Sequence, residues 1–116
     1  VSRIVQPPKS VLLLVGREDF TPPTTFRGGA CVATGDCLAV AVSDGPVAVT
    51  LGPAGNTGDL TRLAEFVLES EGHLSLRDVY SREYETVGVE PGLSTVTVWA
   101  NDGHEPSELV LTVHGL

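Results

Sequence analysis

Apolar residues recur at every second position through the last third of the chain, in two runs separated by a polar connection. In Leu93-Ser94-Thr95-Val96-Thr97-Val98-Trp99-Ala100, the residues Val96, Val98 and Ala100 alternate with Thr95, Thr97 and Trp99. That period belongs to a strand with unlike faces. The second run, Leu109-Val110-Leu111-Thr112-Val113, follows Asn101-Asp102-Gly103-His104-Glu105-Pro106, which has the residue types that end a strand and reverse the chain. The pattern predicts an antiparallel hairpin of strands over 93–100 and 108–114. A hairpin alone is marginal in water, so other strands must cover its apolar face.

Upstream, Pro7-Pro8 makes the first ten residues an extended or edge piece, because proline fixes φ and removes amide donors. Val11–Val15 is short, wholly apolar and bounded by turn residues, as expected of a strand buried on both faces. After the stiff connection Thr21-Pro22-Pro23-Thr24-Thr25, three strands are expected at 27–33, 37–43 and 46–51, punctuated by Thr34-Gly35-Asp36 and Asp44-Gly45-Pro46. In the second of these, Leu38, Val40 and Val42 share one face, and Cys37, Ala39 and Ala41 the other. Gly52-Pro53-Ala54-Gly55-Asn56-Thr57-Gly58 is a loop, without the lysine of a phosphate-cradling P-loop or the third glycine of a dinucleotide fingerprint. Asp59–Glu71 fits two templates. Leu60, Leu63, Ala64, Val67 and Leu68 make a helical stripe, whereas Ala64, Phe66 and Leu68 make a strand face. We read it as strand, from its neighbours Leu74-Ser75-Leu76 and 84–89. The fold expected is all-β: a single-domain antiparallel β-sandwich of about eight strands over residues 1–116, the alternative being α+β with one helix near 59–71.

Composition agrees. Thirteen Gly and 8 Pro among 116 residues exceed the usual share, the excess expected of short strands and tight turns. Charge changes the functional picture more. Fifteen acids against seven bases give a net charge of −8, a field that repels phosphate backbones and anionic headgroups, so neither nucleic acid nor membrane is an expected partner. The same field favours encounter with a basic protein. The longest apolar run is far short of the ~20 residues of a membrane-spanning helix. No secretory leader pattern is visible near Val1-Ser2-Arg3-Ile4-Val5-Gln6, so a cytoplasmic location is expected.

Val89-x-Pro91-Gly92-x-x-x-Val96-x-Val98, an acidic connection, and the alternating strand Leu109–Val113 together resemble bacterial β-sandwich proteins of the competence protein J family. That family includes an inhibitor of a DNA-entry nuclease. The resemblance covers about the C-terminal third of the chain and implies a β-sandwich fold. The chain departs from the family pattern at Ser94, where an aromatic is usual, and at His114-Gly115, where the pattern ends in Trp-Pro. No functional residue of the family maps onto this sequence.

Candidate chemistry is sparse. Cys31 and Cys37 bracket a five-residue connection that could bring their Cβ atoms to the ~4 Å of a disulfide, but without a secretion signal they are read as reduced. Their spacing does not suit a zinc site. His73, His104 and His114 are not spaced as a local metal pair, and no Gly-x-Ser-x-Gly is present. No cofactor, metal or catalytic residue is therefore assigned. Residues 65–85 are the most acidic stretch, so Glu65, Glu69, Asp78, Glu83 and Glu85 are the candidate partner-binding carboxylates. Trp99 points opposite to Val96 and Val98; it is core packing if that second face is covered, and a binding anchor if it is open. The reading that fits best is a non-catalytic, acidic protein-binding module, inhibitor- or immunity-like, with a basic protein as partner. The alternative is a small enzyme or metal-dependent site assembled from Asp102, His104, Glu105 and His73.

Overall fold

The computed structural model describes residues 3–23, 26, 29–53, 55 and 57–114. Among them are ten strands: β1 (Arg3–Val5), β2 (Val11–Val15), β3 (Cys31–Ala33), β4 (Cys37–Ala41), β5 (Val47–Pro53), β6 (Thr61–Ser70), β7 (His73–Arg77), β8 (Glu83–Gly88), β9 (Gly92–Ala100) and β10 (Glu108–Val113). They form two five-stranded sheets, ordered β1-β5-β10-β9-β6 and β3-β4-β2-β7-β8. The fold is an all-β sandwich. Its strand number exceeds the expected eight partly through two pieces of three residues, β1 and β3. Of the strand expected at 27–33, Cys31–Ala33 is strand, Gly29 and Ala30 form a bend, and Arg27 and Gly28 lie outside the described residues.

Period-two patterning sets what lies between the sheets. Val96, Val98 and Ala100 of β9, Leu109, Leu111 and Val113 of β10, and Val47, Val49 and Leu51 of β5 face Leu12, Leu14, Leu38, Val40, Leu74 and Leu76 of the second sheet. All are buried, and each such Val or Leu side chain contributes ~1.5–3 kcal/mol relative to exposure. The predicted hairpin is present, with Val98 opposite Leu111 and Ala100 opposite Leu109.

Two departures from the expectation have topological causes. β5 and β10 pair in parallel, from Ala48 beside Glu108 to Pro53 beside Val113. β6, antiparallel to β9, consequently runs parallel to β5 in the same sheet, so Pro53 and Thr61 lie at opposite ends of the sheet with β10 and β9 between their strands. Seven residues at ~3.5 Å each reach about 25 Å, enough for that diagonal. The second departure is at the cysteines. Cys31 stands opposite Val40, not Cys37, so alternation sends Cys31 toward the main core and Cys37 to the other face of its sheet, beside Leu13, Val15 and Ala39. Both are free thiols, and the expected proximity of Cys31 and Cys37 is not found.

Asp59–Glu71 contains strand rather than helix. Phe66 and Leu68 point inward, and the register with β9 shifts once, between Arg62 and Ala64. Glu71-Gly72 then carries the chain directly from the first sheet to the second, with Gly72 at φ +122, where an L side chain would be strained. At this corner Gly16 accepts from the Glu69–Glu71 strand end, Glu71 N donating to Gly16 O at 2.9 Å. A Cβ on Gly16 would lie 2.1 Å from Glu69 O, so only glycine lets the sheets close here.

Candidate interaction face

The two outer faces of the sandwich differ in cover. On the second sheet, the connection after β2 lays Phe20 against Leu13, Val15, Cys37 and Ala39. It is pinned by Thr21 N donating to Asp36 Oδ1 at 3.0 Å and by Arg77 Nη2 donating to Glu18 Oε1 at 2.7 Å. Arg77 also donates from Nε to Ser75 Oγ at 2.9 Å, and Ser75 in turn donates to Glu83 Oε1 at 2.8 Å. The Arg77 guanidinium holds the Glu18 carboxyl below the usual carboxylate range, and the Ser75 and Thr86 hydroxyls do the same for Glu83. Burial lifts the Cys31 thiol to about 11 and Cys37 to about 12, which removes the thiolate needed for nucleophilic chemistry.

The outer face of the first sheet is open around Leu93 of β9 and Val67 of β6, whereas Thr97 on the same face is buried. Leu93, Thr95, Thr97 and Trp99 project from β9 because Ser94, Val96, Val98 and Ala100 take the inner side. Across the ladder Arg62 is opposite Trp99, Glu65 opposite Thr97, Val67 opposite Thr95 and Glu69 opposite Leu93. Leu93 is 77% exposed and Val67 51%. Being diagonal neighbours, they form a small apolar area between two carboxylates. Trp99 is half-buried on this face, with Nε1 donating to Thr112 Oγ1 at 3.2 Å. The face is thus the open one, and Trp99 is not in the core between the sheets.

Of the candidate residues, the structure brings Glu65, Glu69 and Trp99 onto this one face. Glu65 accepts from Thr97 Oγ1 at 3.2 Å and pairs with Arg62 at 3.4 Å; Glu69 pairs with Arg17 at 3.5 Å. Glu83 lies in the Ser75–Arg77 network of the opposite sheet. Glu85 pairs with Arg3 at 3.4 Å, where the β8 and β1 edges meet. Asp78 is turned inward, 3% exposed. Its Oδ1 accepts from Tyr80 N at 2.8 Å and Arg82 N at 3.0 Å, which holds a turn with Ser81 at φ 66, so its carboxylate serves the turn rather than the surface.

The alternative set is not brought together. His73 starts β7 at the Gly92 end of the sandwich, while Asp102, His104 and Glu105 lie past Ala100, roughly 25 Å away along β9. Asp102 Oδ1 accepts from His104 N at 2.7 Å and Glu105 N at 2.9 Å, bonds that lower its pKa and order the loop. Among the described residues no three His, Cys, Asp or Glu side chains are grouped to hold a metal. Sequence reasoning passed over Val67 and Leu93. The signal was present: once 59–71 is a strand with Phe66 and Leu68 inward, Val67 must face out.

A groove of about 770 Å³ adjoins the open face, between residues 57–60 and β5–β10. Small side chains, Ala48, Thr50 and Thr112, form its floor, and Asp59 and Glu108 lie along it.

No family model matches the chain, and no curated protein matches its sequence. Among solved structures, it is similar to ComJ, an inhibitor of the DNA degrading activity of NucA, from Bacillus subtilis. The TM-score is 0.73 at 11% identity, covering 100% of this chain and 96% of that chain. The resemblance read from the C-terminal third therefore holds, as a likeness of fold, across the whole chain. No helix among the described residues is long and apolar enough to cross a membrane.

Proposed function

We propose that this protein is a non-catalytic binding module of the inhibitor type, acting in the cytoplasm on a basic protein partner. The observation that carries the reading is the β9–β6 face, where Val67 and Leu93 are exposed next to Glu69, with Glu65 and then Trp99 further along the same face. An exposed apolar centre with a charged rim is the composition of a protein contact surface. A net charge of −8 complements a protein that handles DNA, because such a protein must present cations to phosphates. The fold likeness to a nuclease inhibitor makes a DNA-degrading enzyme the partner class to try first. On this reading Glu65, Glu69 and Trp99 lie in the contact, and Glu83 and Glu85 add to the long-range field. Asp78 is left out because it holds a turn. Free thiols, Cys37 buried and Cys31 partly so, suit a reducing compartment.

The test is inhibition. NucA of Bacillus subtilis and basic nucleases from the chain's own source are assayed for DNA degradation with the purified protein added, and association is measured at low and high salt. Suppression at near-equimolar ratio, with association slowed by salt, is the expected outcome. Undiminished degradation together with no association at low salt would contradict the proposal.

A further inference from the structure

Negative charge on the outer side of the first sheet is unevenly compensated. Glu65 is paired with Arg62, and Glu69 and Glu71 share Arg17 at 3.5 and 3.7 Å, so an incoming cation must compete with the chain's own arginines there. Asp59, Glu105 and Glu108 have no ion pair among the described residues, and Asp102 is engaged only by backbone amides. These four carboxylates lie at the Ala100 end of the sheet, where β6 begins and the β9–β10 connection reverses. Two of them, Asp59 and Glu108, line the groove between residues 57–60 and β5–β10, and among its described lining residues there is no Lys, Arg or His. Asn101 borders both this groove and a smaller hollow that includes Asp102.

The groove's shape adds to its charge. It follows β5 and β10 from Ala48 and Glu108 to Pro53 and Thr112, roughly 15 Å at the rise of a strand, which accommodates about four extended residues. Its volume, about 770 Å³, is within the ~300–1,000 Å³ range of ligand clefts.

We infer that this groove seats an extended, arginine- or lysine-bearing segment of the protein partner, its cations meeting Asp59 and Glu108 at the acidic end. The inference rests on the protein-binding reading and moves the charge recognition away from Glu65 and Glu69. On this view the β9–β6 face supplies apolar contact, and the groove beside it supplies the seat for positive charge. Long flexible cations without competing intramolecular partners gain most from such a seat, since each surface pair is weak and any pre-existing pair must first be broken.

The probe is a hexa-arginine peptide titrated into the isotope-labelled, full-length protein, with backbone amide shifts recorded at each step. Saturable shifts greatest at Asp59, Leu60, Asn101 and Glu108 are expected. Asp59→Asn/Glu108→Gln should weaken peptide affinity roughly tenfold, and Glu65→Gln/Glu69→Gln less than about twofold, with both spectra otherwise native. Shifts centred on Glu65, Val67 and Glu69, or a larger loss in the second variant, would overturn the groove while leaving the protein-binding reading intact. Absence of any saturable shift would overturn the groove and the charge-based reading together.

Discussion

The outer faces of the two five-stranded sheets serve opposite ends. On the second sheet, Phe20 covers Leu13, Val15, Cys37 and Ala39, and a chain of polar contacts from Glu18 through Arg77 and Ser75 to Glu83 ties that cover down. Arg77 is 7% exposed there. On the first sheet the equivalent charged side chains, Arg62 and Glu65, lie in solvent, and Leu93 has nothing over it. The same residue classes thus contribute stability on one face and remain available on the other. What decides between them is whether a connecting segment crosses the sheet and where. The segment after β2 covers the second sheet; residues 57–60 lie against the β5–β10 part of the first and leave Leu93 and Val67 on β9 and β6 exposed.

The largest effect is expected where the two sheets join. Gly16→Ala places a methyl against Glu69 O and forces β6 away from the end of β2. Urea unfolding should show a loss of about 2–4 kcal/mol, the size associated with backbone displacement in a packed region. An unchanged midpoint would mean that the corner is not closed as described.

A smaller effect separates the two faces directly. Arg77→Ala removes the guanidinium that donates to Ser75 and to Glu18 of the covering segment and should cost about 1–3 kcal/mol. Arg62→Ala on the open face removes a half-exposed ion pair and should cost ~0.5 kcal/mol or less. Equal losses by thermal melting would erase the distinction between a covered and an open face.

The architecture was largely legible in the alternation of apolar residues. The 93–100 and 108–114 hairpin, the doubly buried Val11–Val15 strand and the two-faced Cys37–Val42 pattern all follow from side-chain period, which is a local property. The strand at Thr61–Ser70 could be read only by weighing neighbours, because its apolar residues also satisfy a helical stripe. Less legible was everything set by register between distant segments. Cys31 and Cys37 fall on opposite faces because Cys31 pairs with Val40, three positions along the strand from Cys37, and an odd separation in a strand changes face. Asp78 is near other acids in sequence but is drawn inward by the amides of Tyr80 and Arg82. The pairing of Arg17 with Glu69 and Glu71, and the groove against β5–β10, depend on which strands become neighbours, and no local pattern encodes that.

The central claim, that the open face of the first sheet is the contact surface, is tested most directly by a paired affinity measurement. Leu93→Ser/Val67→Ser on β9 and β6 is compared with Thr86→Ala on the second sheet, using a nuclease that the wild-type protein inhibits. All three side chains are exposed or on edge strands, so melting temperatures should stay near the wild-type value. The account predicts at least roughly tenfold weaker binding for the Leu93/Val67 variant and unchanged binding for Thr86→Ala. Full affinity in the Leu93/Val67 variant, or a loss confined to Thr86→Ala, would contradict it.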